Sequence, residues 1–285
     1  MQTSRLLRPV AGLVALPALL ASSGRGAPAA ARDAVGLAPE GIAGPAAAPP
    51  TVSPATLGPP ATQNFDTLAS SGTSSTTPDG WTFAESGTNA NTTYTAGNGS
   101  GNTGDTYSFG ATGSGERAFG GLQSGSLVPT VGGAFTNNTG STIASLDVAY
   151  TGEMWRLGTA GRADRIDFQY SLDATSLTTG AWTDVNALDF TTPDSSGTAG
   201  ARHGNARGFR TALSSTISGL SIAAGATFWI RWASFDATGA DDGLAVDDFS
   251  LTPAGAPTNT PTPTHTPTDT PTNTPTNTPT FTPTN

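Results

Sequence analysis

Between Ala61 and Pro253 the large apolar residues fall at every second position in many short runs. Examples are Tyr107 and Phe109; Ile143, then Leu146, Val148 and Tyr150; Ile166, Phe168 and Tyr170; Phe228, Ile230 and Trp232; and Phe249 and Leu251. A period of two is the signature of strands with one face on a core, and no run sustains the helical period. Turn-forming sequences separate the runs at Pro78-Asp79-Gly80, Gly97-Asn98-Gly99, Asn138-Thr139-Gly140, Thr179-Gly180, Ser218-Gly219 and Asp242-Gly243. The pattern predicts an all-β protein built as a two-sheet antiparallel sandwich. The segment 61–253 is long for a seven-stranded immunoglobulin domain of ~100 residues, so the expected topology is a jelly roll. A propeller fits less well, because no blade-length repeat is visible.

The alternation is absent from both flanks. At the N-terminus Arg5 and Arg8 precede the apolar run Val10 to Leu20 and a stretch of small residues, the order of a secretory signal peptide, which is assigned to residues 1–31. The run is shorter than the ~20 apolar residues that span a bilayer and contains Pro17, so the mature chain is expected to carry no transmembrane segment. Residues 32–60 are Ala, Pro and Gly with almost no large apolar side chain and read as a linker. Residues 254–285 contain a Pro-Thr-x-Thr repeat, with Thr at every even position from Thr258 to Thr284 and Pro at every fourth from Pro263 to Pro283. Regular proline favours polyproline II, so the chain from Thr258 onward is expected to form an extended stalk about 90 Å long, at ~3.1 Å per residue.

Composition narrows the chemistry. The formal net charge is −9, which opposes binding to phosphate backbones; nucleic acid is therefore not an expected partner. All 12 basic residues are Arg, which removes lysine Schiff-base chemistry. There is no cysteine, so disulfides, thiolate metal sites and cysteine nucleophiles are excluded. Stability has to come from the core or from a bound ion.

The stretch Phe228 to Leu251 joins two strand patterns through an acidic, Gly-containing segment and reads as a β-hairpin. Asp236, Asp241, Asp242 and Asp247 are candidate oxygen ligands for a structural Ca2+, although their spacing is not that of an EF-hand loop. Strict alternation puts Asp247 on the face of Phe249 and Leu251, hence buried, and turns Asp248 outward. A buried carboxylate needs an ion or an arginine to offset its desolvation. Calcium on the one hand, and Arg231 or Arg156 on the other, both meet that need.

A second constellation is Glu153-Met154-Trp155-Arg156, in which Glu153 and Trp155 share a strand face. An acid beside an aromatic is half of a glycosidase site, but no second carboxylate is placed by the sequence. His203 is the one histidine between Ala61 and Pro253; it lies in a Gly-rich segment without a nucleophile elbow and reads as a solvated loop residue. Five tryptophans raise the prospect of sugar stacking on a sandwich surface. Trp232 is in phase with the core, whereas Trp155 and Trp229 are expected to be exposed. Glu153, Trp155, Arg156 and Trp229 are accordingly the candidate ligand-binding residues.

Several segments in order resemble a known module: Asn64-Phe65-Asp66, Pro78-Asp79-Gly80-Trp81, Asp105 to Gly110, Glu116-Arg117-Ala118, Tyr150 to Arg156, Phe168 to Ser171 and Asp241 to Phe249. The module is bacterial and extracellular. It recurs in large secreted or surface proteins, some of which also carry extracellular endonuclease or phosphatase domains, lamin-tail-like domains or surface-sorting signals. The Thr-Pro tail is similar to tails of surface proteins in filamentous phototrophic bacteria. The resemblance implies an extracellular location and assigns no catalytic residue. The expected function is that of a secreted or cell-surface, non-catalytic accessory or adhesion module. Its expected partner is an extracellular or cell-wall polysaccharide, with calcium as a stabilising ion. The alternatives are a structural spacer of a larger, truncated extracellular protein and, third, a glycoside hydrolase-like enzyme using Glu153.

Overall fold

The computed structural model describes residues 51–256 and 276–277. Residues 1–31, read from the sequence as a signal peptide, the expected linker up to residue 50 and nearly all of the Pro-Thr-x-Thr repeat lie outside the described residues.

The described residues form short and long strands in chain order: β1 (Ala61–Gln63), β2 (Thr73–Ser74), β3 (Trp81–Ser86), β4 (Tyr94–Gly97), β5 (Asp105–Phe109), β6 (Ala118–Leu122), β7 (Val128–Thr136), β8 (Ile143–Leu157) and β9 (Arg165–Ser171). After β10 (Thr183–Asp184), a 3-10 turn (Asn186–Leu188), β11 (Phe190–Thr191) and β12 (Gly200–Ala201) come the long strands β13 (Arg210–Ile222), β14 (Thr227–Ser234) and β15 (Gly243–Ala254). They make two sheets. One has the order β10-β9-β14-β7-β3, with β11 also on β9; the other has the order β12-β8-β15-β6-β5-β4-β2, with β13 also on β8 and β1 on β15. Strand pairs are antiparallel apart from β4 with β5. The long strands β6 to β9 and β13 to β15 alternate between the sheets, so the chain wraps around its core as in a jelly roll.

The core is aromatic and draws on both sheets. Trp232 of β14 stacks on Trp81 of β3 at 6.1 Å and meets Tyr150 of β8 at 5.1 Å, Phe168 of β9 at 5.3 Å and Phe249 of β15 at 5.8 Å. Edge-to-face pairs of this kind add to the burial of large rings. A second, smaller cluster of Tyr107, Phe109, Ala118, Leu122, Trp155 and Ala245 comes from β5, β6, β8 and β15 of the larger sheet alone. These residues alternate with core residues along their strands, so they mark that sheet's outer face.

Two local expectations are corrected. The segment from Phe228 to Leu251 is not a hairpin: β14 and β15 belong to different sheets, and the acidic loop between them arches from one to the other. Nor does Asp247 share the face of Phe249 and Leu251. The register along β15 shifts between Asp247 and Ser250, and Asp248 takes a φ of 48°. The extra residue of this bulge moves the core-facing set from Leu244 and Val246 to Phe249 and Leu251. Asp247 is left on the outer face, beside Ala245, where it is nonetheless buried; Asp248 is exposed.

Candidate functional site

The acids of the arching loop act as its fastenings. Asp236 is exposed, whereas Asp241 and Asp242 are buried. The Asp242 carboxylate accepts hydrogen bonds from the Gly158 amide at 2.6 Å and the Thr192 hydroxyl at 2.6 Å, and its own amide donates to Asp164 Oδ2 at 2.5 Å. Arg162 pairs with Asp164 and lies 3.7 Å from Asp241. Burial, reinforced by the charge of Asp164, pushes the Asp241 carboxyl up to about 6. Asp242 is raised as well, mainly by burial. Donors thus hold Asp242, while Arg162 stands beside Asp164 and, at 3.7 Å, beside Asp241, whose Oδ1 has no hydrogen-bond donor.

Asp247 does not join the loop acids. Among the described residues, the acids that converge within ligating distance are Glu116, just before β6, Glu153 on β8 and Asp247 on β15, each with a carboxylate oxygen within 4.8 Å of the others. Adjacent register brings the last two together, since Glu153 pairs with Ala245 and Asp247 with Thr151. Glu153 is 1% exposed and Asp247 5%. The Trp155 indole donates to Glu153 Oε2 at 2.9 Å and the Asn205 amide to Oε1 at 3.2 Å. Asp247 Oδ1 and Glu116 Oε1 are buried without any donor. Burial, with the charge of Glu116 adding to it, pushes Glu153 up to about 7. Asp247 is held well above the usual carboxylate range by burial, with the charges of Asp248, Glu153 and Glu116 adding to it.

Neither arginine proposed from the sequence reaches Asp247. Arg231 lies in the other sheet, where it donates to Gln169 Oε1 at 2.6 Å and the Leu177 carbonyl at 2.5 Å and covers the Trp182 ring at 4.0 Å. Arg156 donates to the carbonyls of Gly99 and Ser100 at 3.1 and 3.2 Å.

Beside the three acids the outer face carries an open cleft of about 520 Å³, lined by Asn98, Thr112, Trp155, Arg202, His203 and Phe209 among others. A second depression of about 390 Å³ shares Asn98, Ala111 and Thr112 with it and runs on to Tyr107 and Arg117. Trp155 is not an exposed platform: it is 1% exposed, packed parallel to Phe109 at 6.1 Å on one side and to His203 at 6.0 Å on the other. His203 is exposed. The walls come this close only because of two glycines. A Cβ on Gly99, at φ +80°, would meet the Trp155 carbonyl oxygen at 1.8 Å, and one on Gly204 would meet the indole at 2.4 Å. Trp229 is likewise buried, at 4%, against Ala134, Ala174 and Leu177 on the other sheet. Burial of both indoles overturns the expectation that they lie on the surface.

No protein-family model and no curated protein matches the sequence. Among solved structures, the chain is similar to TmCBM61 in complex with β-1,4-galactotriose, at 11% identity over 60% of this chain and 88% of that one, with a TM-score of 0.30. It is also similar to the K3 cleaved adhesin domain of Lys-gingipain from Porphyromonas gingivalis, at 10% identity over 50% of this chain and 78% of that one, TM-score 0.32. A CBM4 structure is similar at 14% identity over 61% of this chain and 95% of that one, TM-score 0.29. At these values the likeness does not extend to a ligand or an activity.

Sequence reasoning singled out Glu153 and Asp247 separately and missed that they meet. It missed Glu116 as a member of the cluster, and Asn98, Thr112 and His203 as cleft residues. The adjacency of β8 and β15 is a contact between residues about a hundred positions apart, for which an unaligned sequence carries no signal. The glycines around Asn98 and His203 were visible, but nothing local says that they mark a close approach to a tryptophan.

Proposed function

We propose that the chain is a secreted or cell-surface, non-catalytic module that binds a neutral polysaccharide in the cleft on the outer face of the larger sheet. The observation that carries this reading is the cleft itself: it is open, and its walls offer one flat exposed ring together with amide and hydroxyl groups. The His203 ring lies over the Trp155 indole with 25° between their planes, which holds it as a stacking surface for the C–H face of a sugar. Asn98 donates to the Thr112 hydroxyl at 2.9 Å, leaving that hydroxyl free to donate to a ligand oxygen. The Arg202 guanidinium is engaged by the carbonyls of Ser196, Thr198, Gly200 and Ala201, so it serves as a wall rather than as an anion receptor. Glu153 lies sealed beneath Trp155 and Asn205, out of reach of a glycosidic bond, which supports binding over hydrolysis.

The test is affinity electrophoresis through gels containing soluble β-glucan, xylan, β-1,4-galactan or dextran. At least one should retard the protein, and His203→Ala and Asn98→Ala should each weaken that retardation by about tenfold, the loss of roughly 1.4 kcal/mol of contact. Arg165→Ala, on the other sheet, should bind as the parent does. Free migration in every gel, or unchanged retardation of both cleft variants, would rule the reading out.

A further inference from the structure

Three carboxylates meeting in the outer layer of a protein with a surplus of arginine-free acids call for an explanation beyond the cleft. We infer that Glu116, Glu153 and Asp247 form a binding site for one divalent cation of the calcium type, separate from the loop acids Asp236, Asp241 and Asp242. Two observations carry it independently. The first is geometric: ligands 2.3–2.6 Å from a calcium ion lie at most about 5 Å from one another, and the three carboxylates offer oxygens all within 4.8 Å. The second is an orphaned group. Asp247 is 5% exposed, and its Oδ1 has no hydrogen-bond donor among the described residues, as is also true of Glu116 Oε1. Buried carboxylate oxygens are ordinarily satisfied, and leaving one bare costs free energy. Among the described residues no ion pair within 4.0 Å involves any of the three acids.

The donor set selects the class of ion. It is all oxygen, without histidine or cysteine, which suits a hard cation rather than zinc or copper. Three carboxylates can supply up to six oxygens, within the six to eight that calcium takes. The arrangement is also held in place from outside. Trp155 and Asn205 each donate to one oxygen of Glu153, the kind of supporting hydrogen bond that orients a ligating carboxylate. The loop acids are placed differently, since Asp242 is occupied by Gly158 and Thr192, and Arg162 lies beside Asp164 and Asp241.

The experiment is a calcium titration of the protein after treatment with chelator, by isothermal calorimetry at neutral pH, with the melting temperature measured in excess calcium and in excess chelator. One ion per chain should bind and raise the melting temperature. Asp247→Asn should weaken binding by about tenfold or more and abolish the calcium-dependent rise; in chelator it should melt no lower than the parent, because a buried carboxyl without a hydrogen-bond donor has gone. Glu153→Gln is the second variant in case Asp247→Asn does not fold, with the same expected loss. Asp236→Asn and Asp241→Asn should bind calcium as the parent does. The inference is overturned by a parent that binds no calcium and melts identically in both conditions. It is equally overturned if the binding is lost in Asp241→Asn and kept in Asp247→Asn and Glu153→Gln. Polysaccharide retardation is read separately, so either site can fail without the other.

Discussion

Asp241 and Arg117 are two opposite ways of burying a charge. Arg117 is 2% exposed and donates to Ser108 Oγ at 2.8 Å, to the Gly97 carbonyl at 3.3 Å and to the Ser108 carbonyl, so peptide dipoles replace its water. Asp241 is 8% exposed, its Oδ1 has no donor, and the Arg162 guanidinium is 3.7 Å away. Its carboxyl therefore rises from 3.8 to about 6 on folding, and the folded state holds the proton more tightly than the unfolded one. The stability that this group contributes is complete below pH 3.8 and is lost as pH climbs through 6. Asp241→Asn should leave the melting temperature unchanged near pH 4 and raise it near pH 8, by the equivalent of about 1–2 kcal/mol once residual solvent contact is discounted. A melting series over that range, parent against variant, reads the difference; parallel curves would show that Arg162 already compensates the charge. Legibility at this scale was partial. The sequence marks Asp247 as buried and Asp248 as outward, but by an alternation that the bulge breaks, so Asp247 is buried on the outer face and not with Phe249 and Leu251; nor does the sequence name the groups that face a buried acid. Those groups come from the segment just before β6 and from β8, on other parts of the chain.

The element that decides the site is β15, and within it the bulge. From Asp247 to Ser250 the strand advances three residues while its partner β8 moves only from Thr151 to Ala149. The surplus residue sits at Asp248, in the left-handed region at φ 48°. An aspartate tolerates that conformation better than most residues, yet glycine adopts it without a Cβ penalty. Asp248→Gly should therefore stabilise the protein by up to about 1 kcal/mol, whereas Asp248→Val should cost about 1–2 kcal/mol. Urea denaturation gives both values, and a Val variant as stable as the parent would mean the bulge can relax away. The bulge also explains what the alternation pattern missed. Counting by twos identifies the strands that became β5, β8, β9, β14 and β15, but the count loses phase wherever a residue is inserted. Turn chemistry was more legible. The glycines of four predicted turns, Gly80, Gly99, Gly140 and Gly180, lie between strands with positive φ; Gly219 also has positive φ but sits inside β13, where its register on β8 shifts, and Gly243 opens β15. The hairpin expectation for 228–251 failed for a related reason: two strands joined by a short loop pair by default, but here the core needs one strand in each sheet.

For the molecule as a whole, the question is where the folded body begins, and the hydrogen bonds answer it further upstream than hydropathy suggests. Composition reads residues 32–60 as a linker, since prolines, alanines and glycines offer little to bury. Backbone pairing does not depend on side chains. Val52 donates to the Ala134 carbonyl at 2.8 Å and accepts from the Thr136 amide at 2.9 Å, bridging to Phe135 beyond the point where β3 pairs with β7. Asn138 donates to the Pro54 carbonyl at 3.1 Å, and Gly58 to the Pro253 carbonyl at 3.0 Å, which ties the start of the body to the end of β15. Val52 also fills the space over Gly80, where a Cβ would lie 2.5 Å from its amide. A chain starting at Thr51 should therefore be as stable to urea as the full chain. One starting at Ala61 loses four backbone hydrogen bonds, at about 0.5–1.5 kcal/mol each, and should be less stable by about 2–6 kcal/mol while keeping its two sheets. Loss concentrated at the edge of β7 would also appear as faster amide exchange at Thr136 and Asn138 than at Gly133, which β14 still covers. Equal stability of the two truncated chains would show that residues 51–60 lie against the sandwich without supporting it; a larger loss would make this segment a strand of the fold, recruited by backbone geometry from a stretch whose side chains give no hint of it.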